Sequence, residues 1–296
     1  MTWDAEHLRT LAAIVDEGSF EAAARSLHVT ASAVSQRIRA LEQQVGTVVV
    51  QRTRPCRPTA AGEVLVRLAG QVELLGRDAT AELGAVAGEQ PGGRRRIAVA
   101  VNADSLSTWF PAALAGLPDD VLVDLRREDQ DLSAQLLREG TVTAAVTAER
   151  RAVQGCRVRA LGAMRYRALA APAFRDAWFG RATDAAAFAQ APAVAFNRAD
   201  ALQHGFVRRL AGSVPVLPVH YAPEQGAFVA LLRAGLGWGM VPEQAAAPAL
   251  ADGSLVEVAP GKVLDVPLYW QHWALRTPTL DDLTERVLVA ARVLRR

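Results

Sequence analysis

The chain has 296 residues, 51% hydrophobic and 22% charged, enough to bury two or three cores rather than one. Thirty-three basic residues against 31 acidic ones leave +2, so the whole-chain charge points to no partner and any nucleic-acid signal must come from a local patch. Two cysteines, Cys56 and Cys156, are too few for a disulfide framework or a structural zinc, and no metal or cofactor is expected. No apolar run reaches the roughly 20 residues of a membrane span, and Asp4 and Glu6 stand where a signal peptide carries basic residues; a cytoplasmic protein with no membrane partner is expected.

The first helix is predicted over 4–17, with Leu8, Leu11, Ala12 and Val15 on one face and Gly18 as its stop. Ser19 caps a second helix over 20–27, whose Ala22, Ala23 and Ala24 let another helix approach closely. After a turn at His28 and Val29, Thr30 caps a third helix that ends at Gly46. Val34, Ile38, Leu41 and Val45 form its core-facing stripe. The opposite face carries Ser32, Gln36, Arg39 and Gln43, with Ser35 and Arg37 at its edges and no carboxylate. Hydroxyls, amides and guanidinium groups are what base edges and phosphates pair with.

From Arg25 to Arg57 there are six arginines and one acid, Glu42, so this stretch is +5 within a nearly neutral chain. Thr47 to Val50 is β-branched and Gln51 to Pro55 is a basic turn. The two read as a wing whose Arg52 and Arg54 reach phosphates or a narrow minor groove, the alternative being a solvated turn.

These residues carry a resemblance. The run from Phe20 to Gly46, followed by Arg52 and by Pro58-Thr-Ala-Ala-Gly62, resembles the winged helix-turn-helix of LysR-type transcriptional regulators. Val49-Val50 replaces the usual Leu-Phe, a hydrophobic variation compatible with a wing.

A long helix is predicted over 59–88, roughly 45 Å of it. Its Ala61, Leu65, Leu68, Val72, Leu75 and Ala79 step by four and three, the seam of a two-stranded coil. Leu65, Leu68, Val72 and Leu75 are the candidate dimerisation residues, with burial inside one subunit as the alternative. A dimer gains specificity by reading two half-sites about one DNA turn apart, and the family resemblance implies a homodimer and often a homotetramer. Gln90-Pro91-Gly92-Gly93 then breaks all regular structure.

Beyond that linker, β-rich runs over 96–102, 121–127, 141–147, 165–171, 193–197, 236–241 and 266–273 alternate with helical ones, which predicts a parallel sheet covered by helices. In such sheets ligands lie at strand carboxyl ends beside helix N-termini. That rule singles out Asn102, Asp104 and Ser105 after the first strand, where Ser105 and nearby amides could hold a carboxylate or Asp104 and Ser105 merely cap a helix. It also singles out Glu128 and Asp129, which with Asp131 form an acidic turn suited to a cation or simply a solvated loop, and Thr147 after the third strand. Asn197, Arg198 and Asp200 complete the polar ring. Trp270, His272 and Trp273 read as core, and Gly235-Leu-Gly-Trp-Gly as a buried strand where backbones approach closely.

Residues 94–296 resemble the effector domain of the same family. The fold thus expected is α/β: a winged helix-turn-helix over 1–58, a linker helix over 59–90 and a two-lobed, periplasmic-binding-protein-like domain over 94–296. The resemblance puts lobe 1 at about 94–163 and 266–296, lobe 2 at about 164–265, and the ligand in the cleft. Val101 to Phe110, Glu128 to Asp131, Leu137 to Gly140, Gly235 to Met240 and Asp265 to Trp270 are similar to the ArgP/LysG branch. That implies an effector such as L-lysine or L-arginine, control of an amino-acid exporter or related gene, and double-stranded promoter DNA and RNA polymerase as partners. A different small carboxylate is the alternative effector. An α/β enzyme with a DNA tether is the alternative class, but no GxSxG elbow is present and the five histidines are scattered without metal-ligand spacing, so no enzyme is expected.

Overall fold

The computed structural model describes residues 2–86, 95–128, 130–180, 182–212 and 215–295. The expected linker at 90–93 and Asp129 lie outside them. Helices α1 (Ala5–Glu17), α2 (Phe20–Ser26) and α3 (Ala31–Val45) follow the local signals closely. Asp4, Ser19 and Thr30 each cap with a side-chain oxygen, and Gly18 and Gly46 close α1 and α3 in the left-handed conformation that glycine adopts without strain. Strands β1 (Val50–Gln51) and β2 (Arg57–Pro58) pair antiparallel as a short wing. The apolar faces of the three helices, Val49, Val50 and Cys56 share one core with Leu65, Val66 and Ala69 of α4 (Ala60–Val86).

Further along lie β3 (Arg95–Val101), α5 (Ala103–Ser107), α6 (Pro111–Leu114), β4 (Val121–Arg127), α7 (Gln130–Glu139), β5 (Ala144–Thr147) and β6 (Cys156–Ala170). Then come α8 (Pro172–Phe179), α9 (Ala185–Gln190), β7 (Ala193–Ala195), α10 (Leu202–Ala211), β8 (Val219–Tyr221), α11 (Gln225–Arg233), β9 (Gly239–Pro242), α12 (Glu243–Ala251), β10 (Val256–Glu257), β11 (Val263–Trp273) and α13 (Pro278–Ala290).

The chain divides into two compact units, one of residues 1–102, 113–160 and 269–289, the other of 103–112, 161–268 and 290–296. The lobes expected from the sequence were cut differently, because α5 and the last residues of the chain pack with the second unit.

In the first unit β3 lies between β4 and β5, parallel to both, and β11 pairs antiparallel with β5. In the second unit β6 pairs antiparallel with β9 and β10, while β7 and β8 are parallel. The expectation of a parallel sheet is therefore corrected to mixed pairing. β6 is also far longer than the run expected from residue 165, since its first half alternates exposed arginines with small or half-buried residues and lacks an apolar stripe. As expected, Trp270, His272 and Trp273 are buried. Gly237 and Gly239 sit where a Cβ would come within 2.7 Å of the Pro192 carbonyl and 2.6 Å of the Phe228 ring.

Helix α4 also packs within the first unit, and this corrects part of the seam reading. Leu65 is buried in the helix-turn-helix core and Leu68 packs partly against it. Gly70 approaches Trp273 so closely that a Cβ would stand 2.5 Å from the indole. Val72 and Leu75, by contrast, are 41% and 45% exposed, and Leu83 and Val86 farther along are more so. Heptad spacing marks an apolar stripe without saying which residues on it the chain itself covers. Asp78 is buried on the same helix, accepting from the Thr279 hydroxyl at 2.6 Å beside Arg95, which pairs with Asp120 at 2.8 Å.

Candidate nucleic-acid interface and effector site

Burying Val34, Ile38 and Leu41 turns the other side of α3 to solvent: Ser32, Gln36, Arg39 and Gln43 are exposed, Ser35 is half-buried, and no carboxylate interrupts the face. Thr30 uses its hydroxyl at the cap, accepting from the Ala33 amide at 3.1 Å, and stands exposed beside that face. Arg37 does not join it. Its guanidinium donates to the Glu6 carboxylate at 2.7 Å and reaches the Thr10 hydroxyl at 3.5 Å, so this arginine pins α3 to α1. Glu42, the one acid of the stretch, accepts from the Val49 amide at 3.1 Å and anchors the start of the wing.

In the wing, Arg52 lies over the Phe20 ring, 4.7 Å from its centroid, a cation–π contact that fixes the guanidinium while leaving its edge free. Arg54 is exposed in the same turn. Amides, hydroxyls and the exposed Arg39, Arg52 and Arg54 on a helix and its wing are equipped to read base edges and to grip phosphates.

The effector candidates divide between the units. Asn102, Glu128 and Thr147 lie in the first. The Asn102 Oδ1 is buried with no partner. Thr147 is fully buried and bonded to Gln271 and to the Glu149 carbonyl, which makes it part of the local scaffold. The Glu128 amide donates to the Val101 carbonyl at 3.3 Å.

Asp104, Ser105, Asn197, Arg198 and Asp200 belong to the second unit. Asn197 and Asp200 build the turn before α10: Asn197 Oδ1 accepts from the Ala199 and Asp200 amides, and Asp200 accepts from the Phe196 and Leu202 amides. Arg198 stacks on Tyr221 at 5.0 Å.

Asp104 sits within α5, and its Oδ2 accepts from the Tyr166 hydroxyl at 2.7 Å. Burial, reinforced by the Asp200 carboxylate, pushes Asp104 up to about 6 despite that bond. The Tyr166 phenol is raised well above its ordinary value, by burial first and by Asp104 second. Ser105 is fully buried and its hydroxyl has no partner. Tyr166 is the residue that the sequence reading missed. The available signal was a phenol on an alternating strand, which needs a polar partner once buried.

Among the described residues no group of histidines, cysteines and carboxylates is arranged to hold a metal. No helix is long and apolar enough to cross a membrane.

A winged helix-turn-helix borne on a long helix, with α/β segments later in the chain, is the build of a DNA-binding transcriptional regulator. The chain belongs to the LysR family: residues 5–63 match the bacterial regulatory helix-turn-helix protein, lysR family, and residues 88–295 match the LysR substrate binding domain. It is 52% identical to the HTH-type transcriptional regulator LysG of Mycobacterium tuberculosis, over 99% of this chain and 95% of that protein. The crystal structure of ArgP from Mycobacterium tuberculosis superimposes with a TM-score of 0.90 at 52% identity, covering 100% of this chain and 99% of that one. Full-length LysG from Corynebacterium glutamicum with bound effector Arg matches with a TM-score of 0.80 at 40% identity, covering 99% and 100%.

Proposed function

We propose that this chain is a cytoplasmic, non-catalytic LysR-type regulator that senses a basic amino acid, L-lysine or L-arginine, and controls transcription of an amino-acid exporter or related gene. Residues 1–58 read double-stranded DNA through α3 and the wing, with Ser32, Ser35, Gln36, Arg39 and Gln43 toward the groove and Arg52 and Arg54 on the backbone. Residues 59–90 join copies of the chain as a homodimer or homotetramer, and residues 94–296 take the effector. Bound effector shifts the population between two arrangements of the sensing half, changing how the paired dimers bend the promoter and whether RNA polymerase is recruited.

The single observation that carries this reading is the carboxylate-free, amide- and arginine-bearing face that α3 exposes. The basic effector is supported by the bound Arg of the Corynebacterium glutamicum relative. It is supported too by Asp104 of the second unit, a carboxylate raised further by the nearby Asp200 and without a cationic partner among the described residues. Melting the full-length protein with L-lysine, L-arginine, L-glutamate and L-leucine tests it. A ligand at 100 times its Kd stabilises by about 2.7 kcal/mol, so the two basic amino acids should raise Tm and the others leave it alone. A shift with L-glutamate and none with either basic amino acid rules the assignment out.

A further inference from the structure

A buried carboxylate needs more than one donor to replace the water it has lost. Asp104 has the Tyr166 hydroxyl at 2.7 Å. The other ionisable group acting on it is a second carboxylate, Asp200, on the turn ahead of α10. Helix α11, packed against α5 through Gln225 and Ser107, brings Glu224, whose carboxylate accepts from the Gly226 and Ala227 amides at its own helix cap. Among the described residues no arginine, lysine or histidine pairs with Asp104 or Asp200.

Next to Asp104, the Ser105 hydroxyl is fully buried without a partner. Asp104 itself keeps part of its surface accessible, whereas Tyr166 is closed off at 1% exposure. The arrangement is thus a carboxylate bonded to a closed-off phenol, on a residue that is itself only half-buried, with no cationic partner among the described residues.

We propose that Tyr166 is a positioning residue for effector binding: it fixes Asp104, so that a cationic amino acid seats against the ionised carboxylate and drives its proton into solvent. This rests on the reading of residues 94–296 as the receiver of a basic amino acid. The balance is simple. The Asp104 carboxyl gives up one proton to bulk water, the ammonium or guanidinium of the ligand keeps all of its own, and no covalent bond to the ligand forms.

With Asp104 raised to about 6, the carboxyl is mostly protonated at pH 5 and mostly ionised at pH 7 and above. Affinity for the cation is therefore full above that value and lost as pH falls through it, about tenfold between pH 8 and pH 5. The Tyr166 bond pulls Asp104 down, so removing the hydroxyl moves the loss to higher pH.

Titration calorimetry of L-arginine and L-lysine into the full-length protein at pH 5, 6, 7 and 8, in two buffers of different ionisation enthalpy, counts the protons released. The wild type is expected to bind about tenfold more weakly at pH 5 than at pH 8, releasing close to one proton per site at the acid end. Tyr166→Phe should still bind at pH 8 but show its profile displaced upward. Asp104→Asn should bind more weakly with a flat profile, which separates this proton from that of any histidine. A pH-independent wild-type Kd, or a Tyr166→Phe curve parallel to wild type at every pH, overturns the proposal and leaves the effector assignment standing. Failure of both amino acids to bind at pH 8 overturns the assignment itself.

Discussion

Arg37 and Arg52 carry the same charge on neighbouring parts of the reading head, and the structure gives them opposite jobs. Replacing either with alanine removes one positive charge, so any difference between the two variants reports geometry rather than net charge. Arg37 spends its guanidinium on Glu6 at 2.7 Å, with side-chain exposures of 26% and 71%. An ion pair that open contributes about 0.5 kcal/mol, so Arg37→Ala should lower stability slightly and leave the salt dependence of DNA binding unchanged. Arg52 lies over Phe20 with the guanidinium edge outward. Each phosphate it neutralises adds about 0.9 to the slope of log K against log salt, hence about 1.8 for a dimer. Between 50 and 200 mM salt the wild type should then lose about tenfold more affinity than Arg52→Ala does. Fluorescence anisotropy with labelled promoter DNA at four or five salt concentrations measures both slopes. Equal flattening by the two variants would refute this division of labour between Arg37 and Arg52.

Two further outcomes follow from α4. Leu75 is 45% exposed in the single chain, so Leu75→Glu should leave the fold intact yet weaken self-association by about a hundredfold, the effect of forcing a charge into an apolar seam; sedimentation velocity showing an undiminished dimer would remove Leu75 from the interface. Gly70→Ala drives a methyl to 2.5 Å from Trp273 and should cost about 1–3 kcal/mol in urea unfolding, whereas an unchanged midpoint would mean that the helix does not pack there.

What the sequence made legible was local. Caps at Ser19 and Thr30, stops at Gly18 and Gly46 and the apolar stripe of α3 are each set by residues within one or two turns, and all recur in the structure. What escaped was decided by residues far apart. Arg37 was grouped with the DNA-facing side because its partner Glu6 lies 31 positions away. Tyr166 went unnoticed because Asp104 is 62 positions upstream. The antiparallel pairing of β5 with β11 and of β6 with β9 joins segments whose own patterns carry no direction, since strand register depends on the partner. Within the seam, Leu65 and Leu75 look alike, and only the presence of the helix-turn-helix core beside Leu65 separates them.

Thr59 joins the wing to α4. Its hydroxyl donates to the Val48 carbonyl at 2.8 Å and accepts from the Gly62 amide at 3.1 Å, while its own amide donates to the Val49 carbonyl at 3.0 Å. Gly62 lies so near the Val49 carbonyl that a side-chain carbon would stand only 1.9 Å from that oxygen. Reading head and stalk are therefore riveted, with no hinge between the blade that touches DNA and the shaft that carries it. A rotation of the first turn of the shaft is passed directly to the blade, where a few degrees of it re-aim Arg52 and Arg54 together.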